Sequence, residues 1–268
     1  MTSNISISAA RNLLKHMKNK NNEIFKNFHS GYNLKHHSKR SYDKNFIEMK
    51  ATYLRKYTDS NDLNIVDLCC GTGEYSRYID TFKHSYFGID FALNMLSEFR
   101  DGPLFNEALC LLNADANRLP FVDNKIDVCF SFSSLYYFDN VFLVLREINR
   151  VLSNDGIAVL EFATKNNINA HVSNYWALNA NWGFPYFISY DALFCAIRKT
   201  GFEIIEERNF GLFPVLRGPW WSIFIANSFL KPLLKINIKG KTLDEYISSN
   251  ILLKKYAFKH ILVLSKKI

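Results

Sequence analysis

The feature that most constrains the fold is a short apolar run that leads into a glycine-containing turn. Residues 64–76 read Asn-Ile-Val-Asp-Leu-Cys-Cys-Gly-Thr-Gly-Glu-Tyr-Ser. The run over 65–70 is typical of a strand that is buried on both faces. Gly71 and Gly73 then turn the chain where a side chain would block a ligand, and a short helix is predicted from about Glu74. A strand, a glycine turn and a helix N-terminus indicate a cradle for a nucleotide-type ligand.

The residues around this turn narrow the choice of ligand. A dinucleotide site carries glycine or alanine three positions after the second glycine, so that helix and strand pack closely. This chain has Ser76 there, which makes a dehydrogenase the less favoured interpretation. Asp67 lies inside the strand end, where a phosphate-binding turn has little use for an acid. A ligand with a cationic end does have a use for one.

Two further predicted strands end in acids. The second strand, residues 86–90, ends in Asp90, and the third, residues 111–116, ends near Asp115. From residue 64 onward strands and helices alternate, which indicates a parallel sheet with helices on both faces. Ligands in such sheets bind outside the carboxyl ends of the strands, where a carboxylate can accept hydrogen bonds from both ribose hydroxyls.

The pattern Val-Asp-Leu-Cys-Cys-Gly-Thr-Gly, residues 66–73, resembles the first motif of the class I S-adenosylmethionine (SAM) methyltransferases. Further motifs follow in family order and at family spacing, in residues 86–96, 111–116, 119–124 and 146–156. The resemblance implies a Rossmann-like, doubly wound α/β fold with a mostly parallel seven-stranded sheet. It also implies SAM as the cofactor.

The resemblance assigns residues to the cofactor. Asp67 is expected near the methionine end, Asp90 at the ribose and Asp115 at the adenine amino group. The full set of expected cofactor-binding residues is Asp67, Cys69, Gly71, Gly73, Asp90, Phe91, Asp115, Ala116, Ser131 and Phe132.

Catalytic residues are predicted from the chemistry of methyl transfer. A sulfonium methyl is already activated, so the protein mainly has to hold a nucleophile in line and exclude water. A hydroxyl or an acidic carbon as acceptor would also use a general base. Tyr136 and Tyr137, after the fourth strand, and His171 are the candidates, whereas Glu161 lies within the fifth strand and is less suited.

The predicted class of acceptor follows from one difference between this chain and the quinone methyltransferases of the same family. The first two motifs look most like those of menaquinone and ubiquinone C-methyltransferases, which carry a Gly-Phe-Gly-Leu-Arg-Asn-like element after the fourth strand. This chain has Ser-Phe-Ser-Ser-Leu-Tyr-Tyr at 131–137, an element that is commoner in methyltransferases of natural products, sugars and other small molecules.

We therefore predict a small-molecule acceptor, namely an apolar or aromatic metabolite, a sugar or a natural product, that is methylated on O, N or C. Two alternatives stay open: a quinone- or lipid-type enzyme at a membrane surface, and a catalytically inactive SAM-binding subunit. The fourth strand is not followed by the Asn/Asp-Pro-Pro-Tyr/Phe signature of enzymes that methylate nucleic-acid amino groups, so a nucleic-acid partner is not favoured.

The five cysteines and the net charge bound the remaining possibilities. The cysteines are odd in number and form no Cys-x-x-Cys pair, so we predict no metal site and a reducing, cytoplasmic location.

Residues 1–40 hold eight Lys or Arg and one Glu, which leaves residues 41–268 near neutral. We predict a basic arm over 1–40 with a helix docked on the domain. A transit peptide and an arm that contacts nucleic acid or membrane are the alternatives.

Two inserts interrupt the methyltransferase-like domain that is predicted over 41–268. The first, 165–188, and the second, 211–258, are rich in aromatic residues and are expected to form the acceptor pocket. The alternatives are plain packing over the sheet edge for the first insert and a lid helix packed on the domain for the second. Trp182 and Trp221 are the residues expected to choose the acceptor. A peripheral membrane contact would map to Trp220–Lys241, whose apolar run is too short to span a bilayer.

Overall fold

The computed structural model describes residues 15–17, 19–24, 41–179, 183–212, 236–238 and 241–267. The strands are β1 (Asn64–Leu68), β2 (Ser85–Asp90), β3 (Leu109–Asn113), β4 (Ile126–Ser131), β5 (Leu152–Ala163), β6 (Phe202–Phe210), β7 (Asn237–Ile238), β8 (Lys241–Thr242) and β9 (Lys259–Lys266). The helices are α1 (Ser41–Tyr57), α2 (Leu93–Arg100), α3 (Val141–Val151), α4 (Ile168–Asn179), α5 (Tyr190–Lys199) and α6 (Leu243–Ser248). Residues 15–17 and 19–24 are also helical, and 3-10 turns cover Ser76–Tyr78, Leu135–Tyr137 and Lys254–Tyr256.

Seven of these strands form one sheet in the order β3-β2-β1-β4-β5-β9-β6. Strands β1 to β5 pair in parallel, and β9 runs antiparallel between β5 and β6. The chain builds outward from β1 to β3 and then returns to add β4 on the other side of β1. This reversal opens a crevice at the carboxyl ends of β1 and β4, where open α/β sheets bind ligands. The architecture is the mostly parallel, seven-stranded sheet that the sequence predicts.

Helices cover both faces of the sheet, so that the sheet lies between two apolar layers. Helices α3 and α5 pack on one face through residues such as Val144, Ile148 and Leu193. Helices α1 and α2 pack on the other face through residues such as Leu54 and Phe99. Burial on both faces explains why the central strands read as nearly continuous apolar runs.

Local sequence signals set the ends of α3 and α5. The Asn140 side chain accepts a hydrogen bond from the Phe142 N–H at 3.2 Å where α3 begins. Ser189 Oγ accepts one from the Ala192 N–H at 3.3 Å where α5 begins. Both are the short polar side chains that cap helix N-termini well. Helix α5 ends just before Gly201, whose φ of +79° is left-handed, a conformation that glycine adopts readily after a helix C-terminus.

Two local predictions around the crevice are wrong. The helix expected from about Glu74 is only the 3-10 turn Ser76–Tyr78. Ile79 is extended and buried in the core, which ends the turn. No full helix dipole therefore points at the glycine turn. The third strand ends at Asn113 rather than near residue 116, so Asp115 lies in the loop beyond it.

The two predicted inserts are partly described. The first contains α4 rather than only a loop, and Trp182 lies outside the described residues. The second contains the β7–β8 hairpin and α6, whereas Trp221 and most of Trp220–Lys241 lie outside the described residues. The insert and domain boundaries stay predictions, as does the cytoplasmic location. Within the described ranges no helix is both long and apolar enough to cross a bilayer.

The N-terminal region contacts the first insert. Asn21, only 4% exposed, lies in the helical stretch 19–24. Its Nδ2 donates to the Phe184 carbonyl oxygen at 2.9 Å, and its Oδ1 accepts from the Phe184 N–H. Lys20 Nζ lies 5.0 Å from the centre of the Phe184 ring. This stretch of the basic arm is therefore docked on the domain by a reciprocal pair of hydrogen bonds.

Candidate active site

The glycine turn has an unusual backbone conformation. Cys69, Gly71 and Gly73 have φ values of 60°, 55° and 79°, a region that costs energy for residues with a Cβ. A Cβ on Gly73 would lie 2.2 Å from the Phe99 ring. A Cβ on Gly71 would meet Met95 Cε at an ordinary 3.5 Å. Gly73 is therefore needed for the packing of α2 against the turn, a reason that the sequence did not reveal.

Asp90, at the end of β2, is fastened to the glycine turn. Its Oδ2 accepts a hydrogen bond from the Gly71 N–H at 2.8 Å, and its Oδ1 accepts one from the Ala92 N–H at 2.9 Å. Burial raises the pKa of Asp90, and these N–H donors oppose the rise. Each carboxylate oxygen has two lone pairs, so both can accept a further bond from a diol. The neighbouring Phe91 is 41% exposed.

Asp115 and Ala116 lie in the loop after β3. Asp115 is exposed, and its Oδ1 accepts from the backbone and side-chain N–H groups of Asn117 at 2.9 and 2.8 Å. Ala116 is buried. Asn113 Nδ2 donates to the Asp90 carbonyl oxygen at 3.0 Å, which ties the end of β3 to the end of β2. The predicted acids are therefore at neighbouring strand ends.

Asp67 lies near the end of β1 and is almost inaccessible, at 3% exposed. Its Oδ2 accepts a hydrogen bond from the Tyr86 hydroxyl at 2.6 Å. Burial raises the pKa of Asp67 to about 7; the nearby Asp90 adds to the rise and the Tyr86 hydroxyl opposes it. A cation beside this carboxylate would favour its charged form and lower the pKa.

Ser131 and Phe132 connect the elements around the crevice. Ser131 is fully buried, and its Oγ donates to the Leu68 carbonyl oxygen at 2.7 Å and lies 2.7 Å from Ser134 Oγ. Phe132 packs on Tyr75, which follows the glycine turn, with ring centres 4.8 Å apart. These contacts tie β4 to β1 and to the turn.

The three predicted catalytic residues are not in equivalent positions. Tyr136 and Tyr137 lie on the 3-10 turn after β4, with ring centres 4.8 Å apart. Tyr136 also packs on Phe187 of the first insert at 5.9 Å, and its carbonyl oxygen accepts from the Tyr186 N–H at 2.6 Å. The structure thus brings the two tyrosines together at the strand edge and leaves His171 exposed on α4.

A charged cluster of Lys50, Glu161 and Lys259 lies on the α1 face of the same edge, and the sequence did not predict it. Glu161 is fully buried; its Oε2 is 2.5 Å from Lys50 Nζ, and its Oε1 pairs with Lys259 Nζ. Lys50 Nζ also donates to Ser133 Oγ at 3.0 Å. Burial alone would raise the pKa of Glu161, but the two ammonium groups outweigh it and lower the pKa to about 2.

Comparison with known families identifies the domain. A family model described as a type-11 methyltransferase domain matches residues 66–160. The match begins in β1 and ends in β5, so it includes the glycine turn, Asp90 and Asp115. Residues 66–160 are a methyltransferase domain of the class I SAM-dependent type. SAM is the methyl donor that the family implies, as the motifs predicted.

Individual relatives match this chain over part of their length. Malonyl-(acyl-carrier protein) O-methyltransferase of Pectobacterium atrosepticum is 27% identical over 154 residues, which are 57% of this chain and 59% of that protein. Demethylmenaquinone methyltransferase of Staphylococcus aureus is 33% identical over 100 residues, which are 36% of this chain and 42% of that protein. The chain therefore spans less than two thirds of either relative.

A solved structure shares the fold over most of this chain. The YcgJ protein of Bacillus subtilis aligns with a TM-score of 0.54 at 14% sequence identity, over 82% of this chain and 98% of that one. At this identity the likeness concerns the fold alone, and it agrees with the predicted Rossmann-like architecture.

Proposed function

We propose that this methyltransferase transfers the methyl group of SAM to a small-molecule acceptor. The observation that carries the proposal is the row of acids Asp67, Asp90 and Asp115 at or just beyond the carboxyl ends of three adjacent parallel strands. Such a row suits a ligand that carries an ammonium group, a diol and an aromatic amine in line.

Each acid has a distinct role in this proposal. Asp90 accepts hydrogen bonds from both ribose hydroxyls, and Asp115 accepts one from the adenine amino group. Asp67 faces the cationic methionine end, a role supported by its burial and by its pKa of about 7. The remaining members of the cofactor site are Cys69, Gly71, Gly73, Phe91, Ala116, Ser131 and Phe132.

When bound, SAM supplies a methyl group that is already activated. The chain then has to orient the acceptor and exclude water. We propose Tyr136 and Tyr137 for these tasks, because they lie between the crevice and the first insert. If the acceptor must lose a proton, a hydroxyl of this pair or the imidazole of His171 takes it as general base.

The acceptor is proposed to be largely apolar or aromatic. Phe187 packs on Tyr136 at 5.9 Å and on Phe258 at 5.3 Å between ring centres, so aromatic rings from both inserts meet at the strand edge. Rings of this kind favour flat, apolar ligand surfaces. The two curated relatives are named for different acceptors, malonyl-(acyl-carrier protein) and demethylmenaquinone, and we propose neither for this chain.

Identification of a bound ligand tests the proposal. The freshly purified protein is analysed by native mass spectrometry, and released compounds are then identified by chromatography and fragmentation. SAM or its product S-adenosylhomocysteine is the expected ligand. Release of NAD in their place would refute the cofactor assignment.

A second candidate is methylation of a quinone- or lipid-type acceptor at a membrane surface. Ile251 and Leu252 of the second insert are 80% and 74% exposed, and Lys254 and Lys255 follow closely. Neighbouring apolar and basic residues are typical of segments that bind anionic membrane interfaces. Sedimentation with anionic vesicles tests this, with the Ile251→Asp/Leu252→Asp variant as control. Full recovery of the wild type in the supernatant would rule it out.

A further inference from the structure

Among the residues that the structure describes, the charged cluster of Lys50, Glu161 and Lys259 holds more cations than anions. It combines two ammonium groups with one carboxylate, and the side chains are only 6%, 0% and 21% exposed. Buried charges in proteins are normally paired, and one carboxylate neutralises only one of the two cations. The cluster thus presents one excess positive charge at the carboxyl edge of the sheet.

The two lysines face different parts of this edge. Lys50 Nζ bonds to Ser133 Oγ and lies 5.7 and 5.5 Å from the ring centres of Tyr75 and Phe132, which border the glycine turn. Lys50 is therefore on the cofactor side.

Lys259 is on the other side of Glu161. Its Nζ lies 4.9 Å from the centre of the Tyr136 ring, and Phe258 precedes it in the chain. Through Phe187 these rings connect to the first insert. Lys259 is also the more exposed of the two lysines, so its ammonium group borders the region proposed for the acceptor.

We propose that Lys259 binds an anionic group of the methyl acceptor, either a carboxylate or a phosphate. This inference rests on the proposed function, because it needs an acceptor at this edge. An ammonium group has three N–H donors, and Glu161 Oε1 accepts one of them. A charge-assisted bond from Lys259 to an oxyanion would neutralise the excess charge, while the aromatic rings contact the apolar part of the acceptor.

Fragment binding tests the proposal without knowledge of the natural acceptor. With saturating S-adenosylhomocysteine present, phenylacetate, phenyl phosphate and neutral phenylacetamide are titrated by ligand-observed NMR. At least one of the two anions is expected to bind the wild type about tenfold or more tightly than the amide, the size expected for a charge-assisted bond. If phenylacetate binds more tightly than phenyl phosphate, the acceptor carries a carboxylate; the reverse order of affinity indicates a phosphate.

Three variants assign the preference to Lys259. Lys259→Met should remove it, and the variant should fold because Lys50 and Glu161 remain as a balanced pair. Lys259→Arg keeps the charge and should keep the preference. Lys266→Met is the matched control at the other end of β9, where the lysine contacts Asn124, and it should bind the anions like the wild type.

Three results would overturn the inference. The first is equal binding of anions and amide by the wild type, which is decisive even if a variant fails to fold. The second is an anion preference that survives in Lys259→Met. The third is a Lys259→Met variant that binds S-adenosylhomocysteine tenfold more weakly than the wild type does but binds methylthioadenosine equally well. Because methylthioadenosine lacks the carboxylate, this result would show that the charge of Lys259 binds the cofactor rather than the acceptor. Failure of the wild type to bind S-adenosylhomocysteine at all would instead refute the proposed function.

Discussion

Gly71 and Gly73 share a left-handed backbone but differ in their surroundings, which makes them a matched pair. Gly73→Ala adds a methyl group 2.2 Å from the Phe99 ring to the conformational strain, whereas Gly71→Ala adds the strain alone. We expect Gly71→Ala to cost about 1–2 kcal/mol of unfolding free energy and Gly73→Ala a further 1–3 kcal/mol or so. Urea unfolding measures both.

The Phe99→Ala background provides the control for this prediction. If the clash is the cause, the difference in unfolding free energy between the two glycine variants should become smaller when the Phe99 ring is removed. Equal costs in the natural background would show that the ring moves aside freely, and that Gly73 is not needed for packing.

In the unliganded protein, ionisation of the buried Asp67 should lower the free energy of unfolding in a pH-dependent way. Its pKa rises from 3.8 in the unfolded chain to about 7 in the folded protein, so the folded state binds the proton more tightly. The resulting stability is complete below pH 3.8 and is lost as the pH rises through 7. The stability of Asp67→Asn relative to the wild type should therefore increase by about 2–3 kcal/mol between pH 5 and pH 8.

Urea unfolding of both proteins at the two pH values measures this change. The difference between the variants isolates Asp67, because the other titrating groups are common to both. A stability difference that stays constant from pH 5 to pH 8 would mean that the carboxylate is ionised throughout, and would contradict the assigned burial effect.

The positions of the acids at the strand ends could be predicted because each carries a local signal. An acid at the end of an apolar run, as at Asp67 and Asp90, marks a strand end by itself. The charged cluster could not be predicted in this way, since Lys50 and Lys259 meet Glu161 only in the folded sheet. The available signals were a lysine on the apolar face of α1 and an acid inside the apolar run of β5.

At the scale of elements, packing overrides local preference at the glycine turn. The sequence predicts a helix after Gly73, but the chain forms only the 3-10 turn Ser76–Tyr78. Tyr75 is held against Phe132 and Ile79 enters the core, and no sequence period records these contacts. The helices α3 and α5, by contrast, follow from apolar stripes and local stop signals, which are properties of contiguous residues.

The helical stretch 19–24 should contribute to stability rather than to cofactor binding. Asn21→Ala leaves the buried N–H and carbonyl of Phe184 without their side-chain partner, which should cost about 1–3 kcal/mol of unfolding free energy. Affinity for S-adenosylhomocysteine should stay within a few-fold, because the proposed cofactor residues lie between 67 and 132.

Asn22→Ala is the control for the docking of this stretch, since it removes a neighbouring, half-buried amide of the same kind. Equal unfolding free energies for the Asn21 and Asn22 variants would show that the docking contributes nothing. Loss of cofactor affinity in Asn21→Ala alone would show that the arm is part of the binding site.

At the scale of the whole molecule, the strand order explains why distant residues form one site. The reversal between β3 and β4 brings the end of β4 beside that of β1, so Asp67, Ser131 and Phe132 share the crevice. The alternation of strands and helices was enough to predict a parallel sheet covered by helices and its ligand edge, and the family resemblance implied the seven strands. The proposed acceptor side draws on the two predicted inserts outside that alternation, and their residues carry no periodic signal.

Calorimetric binding of S-adenosylhomocysteine tests the central claim most directly. The wild type should bind it and should bind NAD far more weakly. Asp90→Ala should lose an order of magnitude or more in affinity, since a hydrogen bond to a charged group contributes about 1.5–3 kcal/mol. Asp101→Ala, which removes an exposed acid just after α2, should leave it unchanged. Tight NAD binding without S-adenosylhomocysteine binding would contradict the account, and unchanged affinity in Asp90→Ala would remove the ribose role.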